Sequence, residues 1–224
     1  MTRVGRVINL TVHGIGPAER ELDPCEDGTW VSIEQFERVL DAVVGRDDVR
    51  VTFDDGNTSD VKIALPRLLD RGLTAEFFVL AGLLGKPGRL TPDDVRRLIG
   101  AGMRVGSHGW SHRDWRWIDD RQAEEELTES HRRLTELTGQ PVSRVAIPFG
   151  SYDRHVLRRL RRAGVTRAYT SDGGQARLGT WLQPRTSLVR DLDAEWTRGL
   201  LDVPPSPVLV ARKLAGRTVK RVRG

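Results

Sequence analysis

The chain has 224 residues, of which 38% are hydrophobic and 30% charged, a composition typical of one globular domain with a substantial core. No apolar run approaches the ~20 residues of a membrane-spanning helix, and a single cysteine, Cys25, excludes an internal disulfide framework. Six lysines and arginines in residues 208–224 account for the net charge of +5 and leave −1 for residues 1–207, which argues against nucleic acid as a partner.

The predicted elements alternate between short β-rich runs and amphipathic helices. Ser32 and Gln35 have the spacing of a capping box, and Thr91-Pro92 with Asp94 marks another helix start. In chain order we predict strand 8–12, a helix from 32, strand 49–53, helix 59–71, strand 74–80, helix 91–102, strand 103–107, helix 119–138, strand 144–147, helix 152–163, strands near 167–170 and 186–190, and helix 194–201. This alternation indicates βα units with right-handed crossovers, arranged either as a barrel or as an open doubly wound sheet.

Four polar motifs each follow a predicted strand directly. They are HGI at 13–15, TFDDG at 52–56, SHGWSH at 107–112 and PFG at 148–150. In both architectures the functional residues lie just beyond the carboxyl ends of the strands, so these motifs are expected to share one site.

Two of these motifs contain the residue types of a catalytic metal site. Asp54 and Asp55 are adjacent at a strand end and therefore point in different directions, so one can bind an ion while the other handles a proton. His108 and His112 can converge on one ion if their segment coils by a turn. One aspartate with two histidines leaves an open position on a zinc-like ion, as in catalytic sites.

TFDDG, SHGWSH and PFG with a nearby tyrosine together resemble the polysaccharide deacetylases, the NodB-homology group or carbohydrate esterase family 4, over roughly residues 8–190. The resemblance implies a single-domain α/β fold, a distorted (β/α) barrel with parallel strands, and metal-dependent hydrolysis of N-acetyl, sometimes O-acetyl, groups on sugars. The implied metal is Zn²⁺, with Co²⁺, Ni²⁺ or Mn²⁺ as alternatives. The implied roles are general base for Asp54, metal ligand for Asp55, His108 and His112, oxyanion donor for the Phe149 N–H, and substrate binding for Pro148, Gly150 and Tyr152. Trp110, beside the two histidines, either packs beneath the site or stacks on a sugar ring of the substrate.

The sequence departs from the commonest family pattern at two positions. Ala146 stands where an arginine usually pairs with the base, and we hypothesise that Arg185 supplies this charge from elsewhere in the chain. The late Leu-x-His motif is also missing, because no histidine follows His155. One branch of the family instead has an early His-Gly-Ile-like motif, and its resemblance here implies that His13 is the general acid.

Two features of the helix predicted at 119–138 are interpreted as structural rather than functional. We predict that the run Glu124–Glu126 forms a solvated helix face. We predict that His131 is a surface or capping residue.

The sequence as a whole predicts a catalytic domain at residues 1–207 and a basic tail at 208–224. We expect a cytoplasmic enzyme, since the first residues do not resemble a signal peptide, acting on an N-acylated amino sugar of a glycan or its precursor. The tail is interpreted either as a solvated terminus or as a segment that contacts the anionic inner face of a membrane. The alternatives are a deformylase or amidase acting on a lipid- or nucleotide-linked sugar, and a catalytically degenerate carbohydrate-binding protein.

Overall fold

Eleven strands and eight α-helices lie in the part of the chain that the computed structural model of the protein describes, residues 5–24, 26–204 and 206–223; Cys25 lies outside it. The strands are β1 (Arg6–Val12), β2 (Gly14–Ile15), β3 (Trp30–Val31), β4 (Val49–Phe53), β5 (Ala75–Val79), β6 (Arg104–Ser107), β7 (Arg144–Ala146), β8 (Arg167–Thr170), β9 (Gln175–Arg177), β10 (Leu182–Pro184) and β11 (Thr186–Ser187). The helices are α1 (Ile33–Val43), α2 (Leu65–Asp70), α3 (Pro92–Gly100), α4 (Asp120–Ala123), α5 (Ser130–Thr138), α6 (Arg154–Arg162), α7 (Ala194–Leu201) and α8 (Pro207–Val222). Wider π-helical segments, Asp60–Ala64 and Glu124–Glu129, precede α2 and α5.

The main sheet curls into a nearly closed barrel of mostly parallel strands, in the order β10-β8-β7-β6-β5-β4-β1-β11. Only Arg185 separates β10 from β11, so one short segment pairs with β8 on one side and with β1 on the other. The antiparallel strand β9 pairs with the first residues of β1, where Arg6 lies opposite Arg177. The predicted α/β barrel is confirmed. No helix in the described ranges is long and apolar enough to cross a membrane.

The helices form where the local sequence signals place them. Ser32 caps α1 and Thr91 caps α3, each in a reciprocal capping box, as predicted. The apolar face of α1 then packs on the barrel, where Phe36 meets Phe53 edge-on and Phe53 stacks on Phe77 with ring centroids 4.4 Å apart. This packing fixes β4, and with it the residues that follow this strand.

Three segments near the C-terminus differ from the predicted elements. The strand predicted near 186–190 is replaced by β10 and β11, and β9 was not predicted; these strands have two or three residues each, too few for a clear alternation of apolar and polar positions. We predicted no element in residues 208–224, but most of this segment belongs to α8. The helix begins after Ser206, whose hydroxyl accepts a hydrogen bond from the Leu209 N–H at 3.2 Å. Proline at the first helical position favours this start.

Candidate active site

The carboxyl ends of the parallel strands bring the four polar motifs together. Asp54 and Asp55 follow β4, the two histidines of SHGWSH follow β6, and PFG follows β7. His13 follows β1, which pairs with β4 in the register Val12–Phe53. The expectation that strand ends place these residues in one site therefore agrees with their positions in the barrel.

Asp55, His108 and His112 form a cluster with the geometry of a metal site. Asp55 Oδ1 lies 3.4 Å from His108 Nε2 and 3.6 Å from His112 Nε2. Two ligands bound tetrahedrally at the usual zinc distances are about 3.4 Å apart. Asp55 Oδ1 is also buried without a hydrogen-bond partner in the described chain, an arrangement that costs free energy unless an ion or a proton compensates it. The residues present therefore fit a divalent cation.

The backbone of Ala146 orients the first histidine of this cluster. His108 Nδ1 donates a hydrogen bond to the carbonyl oxygen of Ala146 at 2.9 Å, because a carbonyl can only accept. The other ring nitrogen, Nε2, thereby faces Asp55. Ala146 lacks the arginine side chain typical of the family, but its backbone fixes the tautomer that a metal ligand needs.

Arg185 forms a buried, bidentate ion pair with Asp54. Its two terminal nitrogens lie 2.7 and 2.6 Å from the two carboxylate oxygens of Asp54, and one of them also contacts the hydroxyl of Thr52 at 3.1 Å. The guanidinium packs against the rings of Phe78 and Tyr169, at 5.3 and 5.7 Å from their centroids. Arg185 has no exposed surface and lies in the segment that closes the barrel. The structure thus pairs Asp54 with an arginine, and this arginine is Arg185 rather than a residue at position 146.

Burial and neighbouring charges set the ionisation of the carboxyl groups. Burial alone would raise the pKa of Asp54, but the positive charges of Arg185 and His108 outweigh it and hold that pKa below its ordinary value. The pKa of Asp55 is lowered in the same way, since His108 and His112 outweigh its burial. Asp60 differs: burial and the charges of Asp55 and Asp54 raise its pKa well above the ordinary value, so this carboxyl favours its neutral form.

The backbone of the site is strained at three positions. Asp55, His112 and Phe149 have φ angles of 73°, 61° and 59°, and they are the three non-glycine residues with positive φ in the described ranges. Such conformations cost about 1–3 kcal/mol each and cluster at functional sites. All three come from motifs that follow different strands, so the strain marks one place in the fold.

His13 and Phe149 lie beside the cluster of Asp55, His108 and His112. His13 lies close enough to Asp54 and Asp55 to influence the pKa of both carboxyl groups, and its Nδ1 is buried without a partner among the described residues. The backbone of His13 is held by Asn57, whose amide donates to its carbonyl at 2.7 Å. The exposed ring of Phe149 lies against the ring of His112 in a tilted arrangement, with centroids 4.3 Å apart.

The residues predicted to bind substrate are placed differently from one another. Pro148 and Gly150 are buried in the turn that presents Phe149, and a side chain at Gly150 (φ 58°) would lie 2.8 Å from the backbone nitrogen of Ser171. Tyr152 is fully buried, and its hydroxyl donates to Asp172 at 2.8 Å, so its side chain offers no surface to a substrate. Trp110 is half-buried against Gly82. This position favours packing beside the site rather than stacking on a sugar ring.

Glu126 corrects the prediction for the glutamate run, because it is fully buried rather than part of a solvated face. Its carboxylate accepts hydrogen bonds from the backbone N–H groups of Trp110 and Ser111 at 2.8 and 3.0 Å, and from the Trp115 indole at 3.2 Å. A Cβ built on Gly109 would lie 2.3 Å from the same carboxylate. Glu126 therefore holds the loop between His108 and His112.

The prediction for His131 is also wrong, since only 9% of its surface is exposed. Burial lowers the pKa of His131 to about 4. The 3.6-residue periodicity of an α-helix does not indicate that Glu126 faces inward, because the segment Glu124–Glu129 is π-helical and interrupts that repeat.

Replacing Glu126 with glutamine is expected to weaken metal binding about 10–100-fold, the usual effect of losing a group that orients metal ligands. The amide keeps the shape of the side chain but removes the charge and one acceptor oxygen. Competition with a chromogenic chelator measures this affinity. Glu124→Gln, an exposed position two residues earlier, is the matched control and is expected to leave the affinity unchanged.

Comparison with known proteins identifies sequence relatives. A family model described as polysaccharide deacetylase matches residues 41–168, more than half of the chain. Peptidoglycan-N-acetylglucosamine deacetylase of Bacillus cereus is 26% identical over 155 residues, covering 65% of this chain and 54% of the relative. Chitooligosaccharide deacetylase of Rhizobium leguminosarum bv. trifolii is 31% identical over 124 residues, covering 54% of this chain and 56% of the relative. The chain thus spans about half the length of these curated relatives.

A similar fold occurs among solved structures. The Streptococcus pyogenes deacetylase PplD, in complex with acetate, aligns with a TM-score of 0.75 and 19% identity, covering 88% of this chain and 98% of that one. This likeness extends over most of the barrel and supports the fold described above.

Proposed function

Because the chain belongs to the polysaccharide deacetylase family, we propose that it removes an N-acetyl group from an amino sugar of a glycan or glycan precursor. Two relatives are named for the deacetylation of peptidoglycan N-acetylglucosamine and of chitooligosaccharides. The observation that carries the proposal is the juxtaposition of two units. One is the Asp55-His108-His112 cluster, and the other is an ionised aspartate, Asp54, held by Arg185.

The proposed metal site consists of Asp55, His108 and His112. A divalent ion bound there would polarise the acyl carbonyl and lower the pKa of water. One carboxylate and two imidazoles are ligands that suit Zn²⁺, with Co²⁺, Ni²⁺ and Mn²⁺ as alternatives.

The remaining roles fall to three groups around this cluster. Asp54 accepts a proton from the water that attacks the acyl carbon, and Arg185 keeps this carboxylate ionised and oriented. The backbone N–H of Phe149 donates a hydrogen bond to the oxyanion, a contribution typically worth a few kcal/mol. As the carbon–nitrogen bond breaks, His13 donates a proton to the leaving nitrogen, so acetate and a free amino sugar are released.

The acyl group can be tested directly by incubating the zinc-loaded protein with N-acetyl, N-formyl and O-acetyl derivatives of the same glucosamine oligomer. We expect acetate from the N-acetyl compound, measured by an enzyme-coupled acetate assay. Release of formate alone would instead support the deformylase alternative. Binding of the oligomer without release of either acid would support the degenerate carbohydrate-binding protein.

The pH dependence of metal binding follows from the two histidines. Asp54 and Asp55 raise the pKa of His108 despite its burial, whereas burial and the charge of His108 lower the pKa of His112 to about 4. Ligands must be deprotonated to bind a metal. Between pH 5 and 6.5, therefore, only His108 has a proton to lose, and the apparent zinc affinity is expected to fall about tenfold per unit as pH falls. Chelator competition at several pH values measures this slope, and a hundredfold change per unit would contradict the assignment.

A further inference from the structure

A groove on the flank of the barrel concentrates positive charge. It lies between α6, α8 and the segment that contains β9 and β10, and encloses about 780 Å³. Eight of the 19 described residues that line it are arginine or lysine, and none is aspartate or glutamate. Neither Asp54 nor the metal cluster lines this groove, so it is separate from the candidate active site.

The cations of the groove lack the ion pairs that other basic side chains of the protein form. Lys220 of α8 pairs with Asp172 at 2.6 Å, and Arg46 pairs with Asp48 and Asp202. In contrast, none of the eight groove cations has a carboxylate oxygen of a described residue within 4.0 Å. Burial and the charge of Arg217 lower the pKa of Lys213, and the charge of Asp172 offsets this effect only in part.

The same groove also has an apolar wall. Leu157 of α6, Leu182 of β10 and Leu214 of α8 line it, together with the indole of Trp181. The guanidinium of Arg161 lies over that indole, 4.4 Å from the ring centroid. Cationic and apolar surfaces therefore meet in a cavity whose volume is within the range of small-molecule sites.

We propose that this groove binds a ligand with a phosphate or diphosphate group, whose attached apolar portion lies against the leucines and Trp181. Seven of the eight cations are arginines, whose planar guanidinium forms paired hydrogen bonds with phosphate oxygens. A compact anion with several charges offsets the repulsion among these side chains better than a single carboxylate does. The phosphate belongs either to a free metabolite or to a lipid headgroup.

The test is calorimetric titration of the full chain with inorganic pyrophosphate, comparing two double variants of equal net charge. Arg158→Gln/Lys213→Gln removes one groove cation from each helix. Arg162→Gln/Arg212→Gln removes one exposed cation from each of the same helices outside the groove. We expect the groove variant to weaken binding at least about tenfold and the control less than about twofold. Equal weakening by both pairs would overturn the proposal, because general net charge would then account for the attraction.

The source of the phosphate is resolved by a second probe, sedimentation with vesicles of phosphatidylcholine that contain or lack phosphatidylglycerol. Binding of pyrophosphate supports a free phosphate ligand. Binding of the phosphatidylglycerol vesicles without pyrophosphate, sensitive to the groove pair alone, supports a lipid headgroup. Binding of neither probe would overturn the proposal. Thermal unfolding of both variants verifies folding, and the groove variant is expected to be at least as stable as the wild type because it relieves repulsion.

Discussion

Replacement of Arg185 with methionine is expected to lower the free energy of unfolding by about 3–5 kcal/mol and to reduce turnover roughly 100-fold. The substitution keeps much of the side-chain volume that packs against Phe78 and Tyr169 but leaves the charge of Asp54 buried without its bidentate partner. Urea unfolding of the metal-free protein measures the stability, and initial rates of acetate release measure the turnover.

The pH profile separates this positioning role from simple destabilisation. Without Arg185, burial dominates the environment of Asp54 and raises its pKa, so the acid limb of kcat/KM shifts to higher pH. Wild-type stability from the ionised pair is present above the ordinary pKa of aspartate and is lost as pH falls through the lowered folded value. An unchanged acid limb in the variant would contradict the role assigned to Arg185.

The double variant Asp54→Asn/Arg185→Met is the matched control for the buried charge. Removing both partners eliminates the uncompensated charge, so we expect the double variant to be more stable than Arg185→Met alone. Its turnover is expected to stay low, since asparagine cannot accept the proton. Equal instability of the two variants would indicate that packing, rather than charge, accounts for the loss.

The double variant His108→Ala/His112→Ala is expected to lower zinc content from about one ion per chain to almost none. Because a catalytic metal contributes several kcal/mol to transition-state stabilisation, turnover is expected to fall at least about 10³-fold. Elemental analysis after reloading with zinc and removal of excess metal measures the stoichiometry. His155→Ala, an exposed histidine on α6, is the control and is expected to retain both metal and activity. Zinc retained at one per chain in the double variant would place the metal elsewhere.

Much of the barrel is predictable because each βα unit has local signals. The capping boxes at Ser32 and Thr91 and the apolar strands mark element boundaries that do not depend on distant contacts. The site motifs follow those strands, so topology alone brings them together. The closing segment around Arg185 is different, because its short strands are defined by pairing with β8 and β1, which are far away in sequence.

Two features of the site depend on tertiary contacts that the sequence does not display. Glu126 lies among three consecutive glutamates, and only the rotation of the helix decides which of them faces the loop of Trp110 and Ser111. The environment of Tyr152 likewise depends on Asp172, 20 residues later, and on Lys220 from α8. For such residues the side-chain type wrongly suggests exposure to solvent, because hydrogen bonds to buried partners outweigh the intrinsic preference of a polar group for water.

The central claim, a metal-dependent removal of N-acetyl groups, is tested most directly by titrating the metal-stripped protein with zinc while measuring acetate release from N-acetylglucosamine oligomers. The account predicts almost no release without metal and a rate that rises linearly until about one zinc per chain. Asp54→Asn is expected to bind the same single zinc without gaining activity. Acetate release that is independent of zinc, or none at any zinc level across the oligomers, would contradict the account.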